Sequence, residues 1–120
     1  IHIDDEEGNL IVGSWGAVME GWGTPELKGS LKSIDIHSKK IKNLGKKPIG
    51  NLDGIEPDGK GSYYVTDWTG AKLYNIKKNG RFKVIAEVGK GAADHEVILD
   101  KNLIIIPIMA EGKVIALKVK

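Results

Sequence analysis

The 120-residue sequence contains no cysteine, which excludes a disulfide framework and thiol-based metal or redox chemistry. It also lacks a long apolar run, because Pro107 interrupts the longest one, residues 103–110, and a transmembrane helix needs about 20 apolar residues. The net charge of +2 is small, and the basic residues are scattered along the chain. Nucleic acid and anionic membrane surfaces are therefore not predicted as partners.

Two common catalytic signatures are absent as well. There is no glycine-rich phosphate loop preceding a helix and no Gly-x-Ser-x-Gly elbow, so a P-loop nucleotide site and a serine-hydrolase elbow are excluded. The composition, 41% hydrophobic and 28% charged, is typical of one soluble globular domain. The chain begins with Ile1 rather than Met, which leaves room for an upstream targeting segment. The compartment, periplasmic or cytoplasmic, is therefore not predicted.

Residues 51–76 carry the clearest structural pattern. They read as three short strands joined by tight turns, with Asp58-Gly59-Lys60-Gly61 in the first turn and Thr69-Gly70 in the second. The middle strand, residues 63–68, is rich in aromatic and β-branched side chains, which suit a half-buried sheet. This stretch predicts an antiparallel meander.

The same pattern recurs on both sides of the meander. Residues 10–15 match residues 63–68 position for position, which places Trp15 and Trp68 at equivalent points, where both are predicted to pack between repeats. Four antiparallel strands repeating every 40 residues or so are typical of β-propeller blades. We predict an all-β fold of about two and three-quarter blades, over residues 1–47, 51–88 and 94–119. A sandwich of short strands is the alternative.

Fewer than four blades do not normally close a ring. The last predicted strand, residues 113–119, is partly apolar on both faces and would be left with an unpaired edge, which natural proteins usually avoid. We therefore expect this segment not to exist as an isolated monomer. Its partners would be the remaining blades of a longer chain or further copies of itself.

One segment breaks the repeat. Residues 16–30 are rich in glycine, carry Met19 and Trp22, and are too long for a hairpin turn. We predict an inserted loop that acts as a lid over the channel or contacts a partner.

The sequence resembles a known family at four places: residues 51–55, Asp58-Gly59, residues 64–68 and residues 73–76. The resemblance is to the senescence marker protein/gluconolactonase group, which includes regucalcin. NHL-repeat propellers share the weaker half of this residue pattern. It covers almost the whole chain and implies the C-terminal half of a six-bladed ring. It further implies hydrolysis of lactones or esters with one divalent cation, Ca²⁺ or Zn²⁺, on the central axis.

Within that resemblance, Asp53 falls on the family's metal-binding aspartate, although Leu52 stands where the family usually has proline. The family's glutamate ligand, and the asparagine ligand of the preceding blade, have no counterpart in this sequence. A carboxylate at the head of an inner strand suits a hard cation. The alternative is an aspartate that caps the turn into its own strand.

Asp94, His95 and Glu96 occupy the equivalent place in the next repeat. Because side chains alternate along a strand, Asp94 and Glu96 are predicted to share one face and His95 the other. We assign Asp94 and His95 as catalytic candidates, His95 as a general base or metal ligand. The alternative for His95 is a histidine satisfied by a backbone carbonyl.

The remaining polar and aromatic residues receive structural predictions. Asp67 is predicted to brace a turn rather than line the channel, and His2 and His37 to lie on the surface or in turns. Two functions remain open. One is a metal-dependent hydrolase acting on a small-molecule substrate, and the other is a non-enzymatic propeller that binds a ligand or a protein partner.

Overall fold

The computed structural model describes residues 1–4, 8–18 and 25–120, and this part of the chain is built from antiparallel β-strands. The strands are β1 (His2–Asp4), β2 (Asn9–Gly13), β3 (Gly16–Val18), β4 (Pro25–Lys28), β5 (Leu31–Asp35), β6 (Ile41–Leu44), β7 (Leu52–Pro57), β8 (Ser62–Asp67), β9 (Lys72–Lys77), β10 (Phe82–Glu87), β11 (Glu96–Ile98), β12 (Leu103–Ile108) and β13 (Lys113–Lys118). Two 3-10 turns, Leu99–Lys101 and Met109–Glu111, separate the last three strands. Among these described residues no helix is long and apolar enough to span a membrane. The all-β class is confirmed.

Eleven of these strands form three sheets that follow one another along the chain, and β3 and β4 form a separate two-stranded sheet. The first sheet has the order β1-β2-β5-β6, the second β7-β8-β9-β10 and the third β11-β12-β13, and every pairing within them is antiparallel. Within the described residues β13 pairs with β12 alone. In each of these three sheets the strands are thus ordered as they occur along the chain.

The second sheet contains the predicted meander, which the register of β7, β8 and β9 confirms. Its first turn depends on Asp58, whose Oδ1 accepts the backbone N–H groups of Lys60 and Ser62. Gly59 and Gly61 in that turn have positive φ angles, 74° and 84°, which glycine adopts without a Cβ penalty. The turn chemistry thus fixes the register of the strands that follow.

The core lies between the sheets rather than within one of them. Ile11 and Leu31 of the first sheet pack against Ile55 and Val65 of the second. On its other side, the second sheet packs Leu73 against the buried β12 residues Ile104, Ile106 and Ile108. The second sheet therefore contributes buried residues from both of its faces.

The segment predicted as an inserted loop contains regular structure, and in that respect the prediction was wrong. β3 and β4 pair as a two-stranded ribbon. Ser14 anchors its base, because its Oγ donates to the Ser30 carbonyl and accepts the Ser30 N–H, both at 3.0 Å. Met19 and Trp22 lie outside the described residues, so the role of this segment as a lid or partner contact stays a prediction.

Two glycines, Gly45 and Gly80, lie where the outer ends of the first and second sheets approach each other closely. A Cβ added at Gly80 would lie 2.2 Å from the Cα of Gly45, and φ at Gly80 is 81°. We expect Gly80→Ala to lower the free energy of unfolding by at least about 2 kcal/mol, because it adds a backbone collision to the strain of a positive φ. Gly61→Ala is the matched control, since φ there is 84° but no atom lies within 4 Å of the added Cβ.

Urea denaturation of both variants measures this difference. The control isolates the left-handed strain, about 1 kcal/mol. Equal losses for Gly80→Ala and Gly61→Ala would show that the close approach of the two turns contributes nothing.

Candidate functional site

The earliest strands of the three sheets lie side by side, since β7 contacts both β1 and β11. β7 carries Asp53 and Glu56, and Asp94 and Glu96 lie just before and at the start of β11. We call these four residues the inner-strand acidic cluster. It brings the predicted metal residue Asp53 next to the predicted catalytic residue Asp94.

Two carboxylates of this cluster, Asp53 and Glu56, have raised pKa values. Burial, and after it the charge of Asp94, raises the pKa of Asp53, while the Asp94 backbone N–H opposes that shift. Burial likewise raises the pKa of Glu56, with further contributions from Glu96 and Asp94, and His2 acts in the opposite direction. Both shifts mean that these two carboxylates are partly desolvated and lie near other negative charges.

His95 lies on the other face of its segment. Asp94 and Glu96 are exposed while His95 is only 6% exposed, so the predicted alternation is confirmed. Neither ring nitrogen has a hydrogen-bond partner among the described residues. The Tyr64 backbone favours the protonated ring without reaching hydrogen-bond geometry, so the predicted alternative of a carbonyl-satisfied histidine is not formed.

Burial controls the protonation of this histidine. It lowers the pKa of His95 to about 4, although Asp94 and the Tyr64 backbone act in the opposite direction. The ring packs against the backbone of β7, because a Cβ added at Gly54 would lie 2.7 Å from its Nδ1. His95 is therefore neutral at neutral pH and turned away from the exposed side of the cluster.

Thr66 sets the spacing between Asp53 and Asp94. Its Oγ1 accepts the N–H of Gly54 and donates to the carbonyl of Ala93, both at 2.9 Å. Each of these partners is the direct neighbour of one of the two carboxylates. No role for Thr66 was predicted from the sequence, because both hydrogen bonds join it to residues that are distant in the chain.

Asp67 braces the turn that follows β8, as predicted. Its Oδ1 accepts the N–H groups of Asn51 and Gly70, both at 3.0 Å, and its Oδ2 accepts the Tyr74 hydroxyl at 3.2 Å. The Asn51 side chain accepts the Thr69 hydroxyl and donates through Nδ2 to the Trp15 carbonyl. This polar network joins the first sheet to the second.

Other predictions fare differently. The indole rings of Trp15 and Trp68 lie 5.8 Å apart between the first two sheets, which confirms their packing role. His37 lies exposed in the turn after β5, as predicted. His2 was predicted as a surface or turn residue, but it is a half-buried strand residue whose ring lies 6.1 Å from that of Tyr63.

The carboxylates of the inner-strand acidic cluster are the type of ligand that a hard cation binds, but they are too few to surround one. Carboxylate oxygens are the ligands that Ca²⁺ prefers, and Ca²⁺ takes six to eight of them. The described residues contain no group of three or more histidine, aspartate or glutamate side chains arranged to hold a metal ion. The described carboxylates therefore do not form a complete coordination shell for Ca²⁺.

Comparison with known proteins adds no assignment. No family model matched the sequence, and no curated protein or solved structure was significantly similar to it. The resemblance to the senescence marker protein/gluconolactonase group, and the functions it implies, therefore depend on the residues quoted above.

Proposed function

We propose that the three sheets are blades of a β-propeller and that this propeller is a metal-dependent hydrolase of lactones or related esters. Support for the propeller comes from the strand order, which runs outward from the earliest strand in each sheet. It also comes from the apolar packing of each sheet against the next. In a propeller, β1, β7 and β11 would line the central channel.

The crowding of Asp53 and Asp94 carries the functional proposal. The negative charge of Asp94 raises the pKa of Asp53, after burial, and a cation bound beside Asp53 would offset both effects. Asp53 would hold the cation, as the family resemblance implies. A divalent cation supplies Lewis-acid polarisation of the ester carbonyl when it is bound.

The chain's own residues then have separate roles. Asp94, exposed beside Asp53, would accept a proton from the attacking water. His95, assigned as catalytic from the sequence, is buried and faces away from the exposed carboxylates. We propose that it supports the position of Asp94 from behind, since a Cβ added at Gly54 would lie 2.7 Å from both the His95 Nδ1 and the Asp94 Cα.

A second function, a non-enzymatic propeller that binds a ligand or partner at the channel mouth, is favoured by a different observation. The described residues lack a complete metal-ligand group, and hydrolysis by this route needs one. A ring that binds divalent cations and never hydrolyses a lactone or aryl ester would support this second function.

The cation is tested with Asp53→Asn. We expect Ca²⁺ to raise the melting temperature of the wild-type protein, by about 2.7 kcal/mol of added stability at 100 times the dissociation constant, and to have no such effect on the variant. Asp100→Asn is the matched control, because this exposed aspartate lies outside the cluster in a 3-10 turn. If Ca²⁺ shifts the melting temperature of all three proteins equally, Asp53 does not hold the cation.

A further inference from the structure

The outer edges of the first and second sheets are rich in basic residues. Half of the 18 lysine and arginine residues of the chain lie in β6, in β10 or at the turns beside these strands. Residues 36–52 and 68–86 contain no aspartate or glutamate. No anionic partner was predicted from the sequence, because the two groups of basic residues are far apart along the chain. We call these residues the basic ridge: Lys39, Lys40, Lys42, Lys46, Lys47, Lys77, Lys78, Arg81 and Lys83.

The fold brings the two groups of the ridge together. A Cβ added at Gly80 would lie 2.2 Å from the Gly45 Cα, so the turns that contain these glycines touch. Lys46 and Lys47 directly follow Gly45, and with Arg81 they line one depression on the surface. Basic side chains from the first and second sheets therefore border the same depression.

A second depression has the same composition. Lys40 and Lys42 line it from the first sheet, and Lys78 lines it from the second. Asp35 lines it as well, but its Oδ1 accepts the backbone N–H groups of His37 and Ser38 in the turn before β6. This second depression therefore extends the ridge along the gap between the two sheets.

Protection of sheet edges explains only part of the ridge. Lysines on an edge strand prevent its pairing with other sheets, and among the described residues β6 and β10 each pair with one strand. This accounts for Lys42 and Lys83, which lie within the two edge strands. It does not account for Lys46, Lys47 and Lys78, which lie in turns.

Large apolar side chains are exposed between the charges of the ridge. Ile41 in β6 has a lysine on each side and is 64% exposed, while Phe82 and Val84 in β10 flank Lys83 and are 48% and 49% exposed. Because β6 and β10 are edge strands, a surface that approaches edge-on reaches the side chains of both strand faces. The boundary between lipid headgroups and acyl chains accepts apolar side chains, whereas a dissolved polyanion offers them no apolar contact.

The kinds of residue in the ridge favour a bilayer over a nucleic acid. Arginine binds phosphate groups and base edges through paired hydrogen bonds, whereas lysine acts as a point charge, and Arg81 is the one arginine of the ridge. Single-stranded nucleic acids stack their bases on aromatic rings. The one aromatic ring between these charges, that of Phe82, packs edge-on against Tyr74 with the ring centroids 5.4 Å apart.

We propose that the basic ridge, with Ile41, Phe82 and Val84, binds the surface of a bilayer that contains anionic phospholipids. The ammonium groups lie at the headgroups, where each contributes about fivefold to the partition coefficient. In the second sheet β10 lies at one edge and β7, which carries Asp53, at the other, so the inner-strand acidic cluster stays remote from the lipid. The inference does not depend on the proposed hydrolase.

Sedimentation with vesicles tests the proposal on the whole 120-residue chain. We expect binding to vesicles of phosphatidylcholine and phosphatidylserine but not to vesicles of phosphatidylcholine alone. Binding should be lost in about 0.5 M NaCl, where the Debye length falls to about 4 Å. A chelator in the buffer prevents divalent cations from bridging protein and lipid, so the result is independent of any cation at Asp53.

Two kinds of variant separate the contributions of charge and apolar contact. Lys46→Gln combined with Lys47→Gln should lower the partition coefficient about 25-fold. Lys101→Gln combined with Lys118→Gln is the matched control, because it removes the same charge from exposed positions in the third sheet and should change the coefficient by less than about twofold. Ile41→Ser keeps the charge and should lower the coefficient about threefold or more, because it removes an apolar side chain from the lipid boundary.

A single-stranded oligonucleotide of mixed sequence serves as the competitor. At an equal concentration of negative charge it should not displace the protein from the phosphatidylserine vesicles. The proposal is overturned if the protein does not bind these vesicles at low salt, or if the ridge pair and the control pair lose equal affinity. Displacement by the oligonucleotide would assign the ridge to nucleic acid, and an Ile41→Ser variant that binds vesicles like the wild type would remove the reason for choosing a bilayer.

Discussion

Asp67→Ala should be among the most destabilising single substitutions in this protein, with an expected loss of about 4 kcal/mol in the free energy of unfolding. The carboxylate is 2% exposed and accepts hydrogen bonds from the backbone of Asn51 and Gly70 and from the Tyr74 hydroxyl. Alanine leaves all three donors without an acceptor in a buried site. Urea denaturation at pH 7.5 and one fixed protein concentration measures the loss.

Two controls divide this effect into its parts. Asp67→Asn keeps one carbonyl oxygen for the backbone N–H groups and should cost about 1–2 kcal/mol, while Tyr74→Phe removes one hydrogen bond and should cost about 1 kcal/mol. The hydrogen-bond network around Asp67 is supported if the loss in the free energy of unfolding is smallest for Tyr74→Phe, larger for Asp67→Asn and largest for Asp67→Ala. A loss below 1 kcal/mol for Asp67→Ala would mean that the freed backbone donors reach water.

The shape of the Asp67 site explains two neighbouring glycines. A Cβ added at Gly50 or Gly70 would lie 2.2 Å or 2.1 Å from the Asp67 carboxylate. The sequence predicted the turn after β8 and the bracing role of Asp67, because a Thr-Gly pair between two alternating runs is a local signal. It did not predict the approach of Gly50, because that contact joins segments brought together by the fold.

The same distinction between local and long-range signals runs through the whole chain. Periodicity and turn residues predicted β7, β8 and β9, since each strand and turn depends on a few consecutive residues. The β3–β4 ribbon was missed, because its short strands contain glycine and proline, which are depleted in sheets. Ribbon pairing at the base is set partly by Ser14 and Ser30, which lie on either side of it.

For the candidate site, the sequence predicted the strand face on which each residue lies but not what surrounds its side chain. Alternation predicted that His95 faces away from Asp94 and Glu96. The depth of its burial depends on Gly54 of another sheet, which no sequence pattern near His95 reports. Thr66 was missed for the same reason, since its hydrogen bonds reach Gly54 on the neighbouring strand and Ala93 in the segment before β11.

The burial of His95 leads to the second prediction, a loss of stability in mild acid. The pKa of His95 is lowered to about 4 in the folded protein, against 6.5 for an unperturbed histidine. Above pH 6.5 the ring is neutral in both states, so its contribution to stability is fully present. As the pH falls below 6.5, the unfolded chain binds the proton and the folded protein does not. The contribution is then lost progressively down to about pH 4, by about 3 kcal/mol in all.

Measuring it requires a variant that does not titrate at this position. His95→Phe keeps a planar ring and removes two nitrogens that have no hydrogen-bond partner among the described residues, so it should fold at neutral pH. Between pH 7.5 and 5.0 the wild-type free energy of unfolding should fall by about 2 kcal/mol more than that of His95→Phe. Taking this difference cancels the titration of Asp53 and Glu56, whose raised pKa values act in the opposite direction and are common to both proteins.

The pH dependence also separates the two possible states of His95. A histidine exposed in the channel would keep a pKa near 6.5 and give wild type and His95→Phe the same slope with pH. A buried neutral histidine gives the steeper wild-type slope, because transferring the charged ring into the space beside Gly54 requires that the second and third sheets separate or admit water. If the free energies of unfolding of wild type and His95→Phe change equally with pH at one fixed protein concentration, His95 is not buried between the second and third sheets. It would then again be a candidate catalytic base.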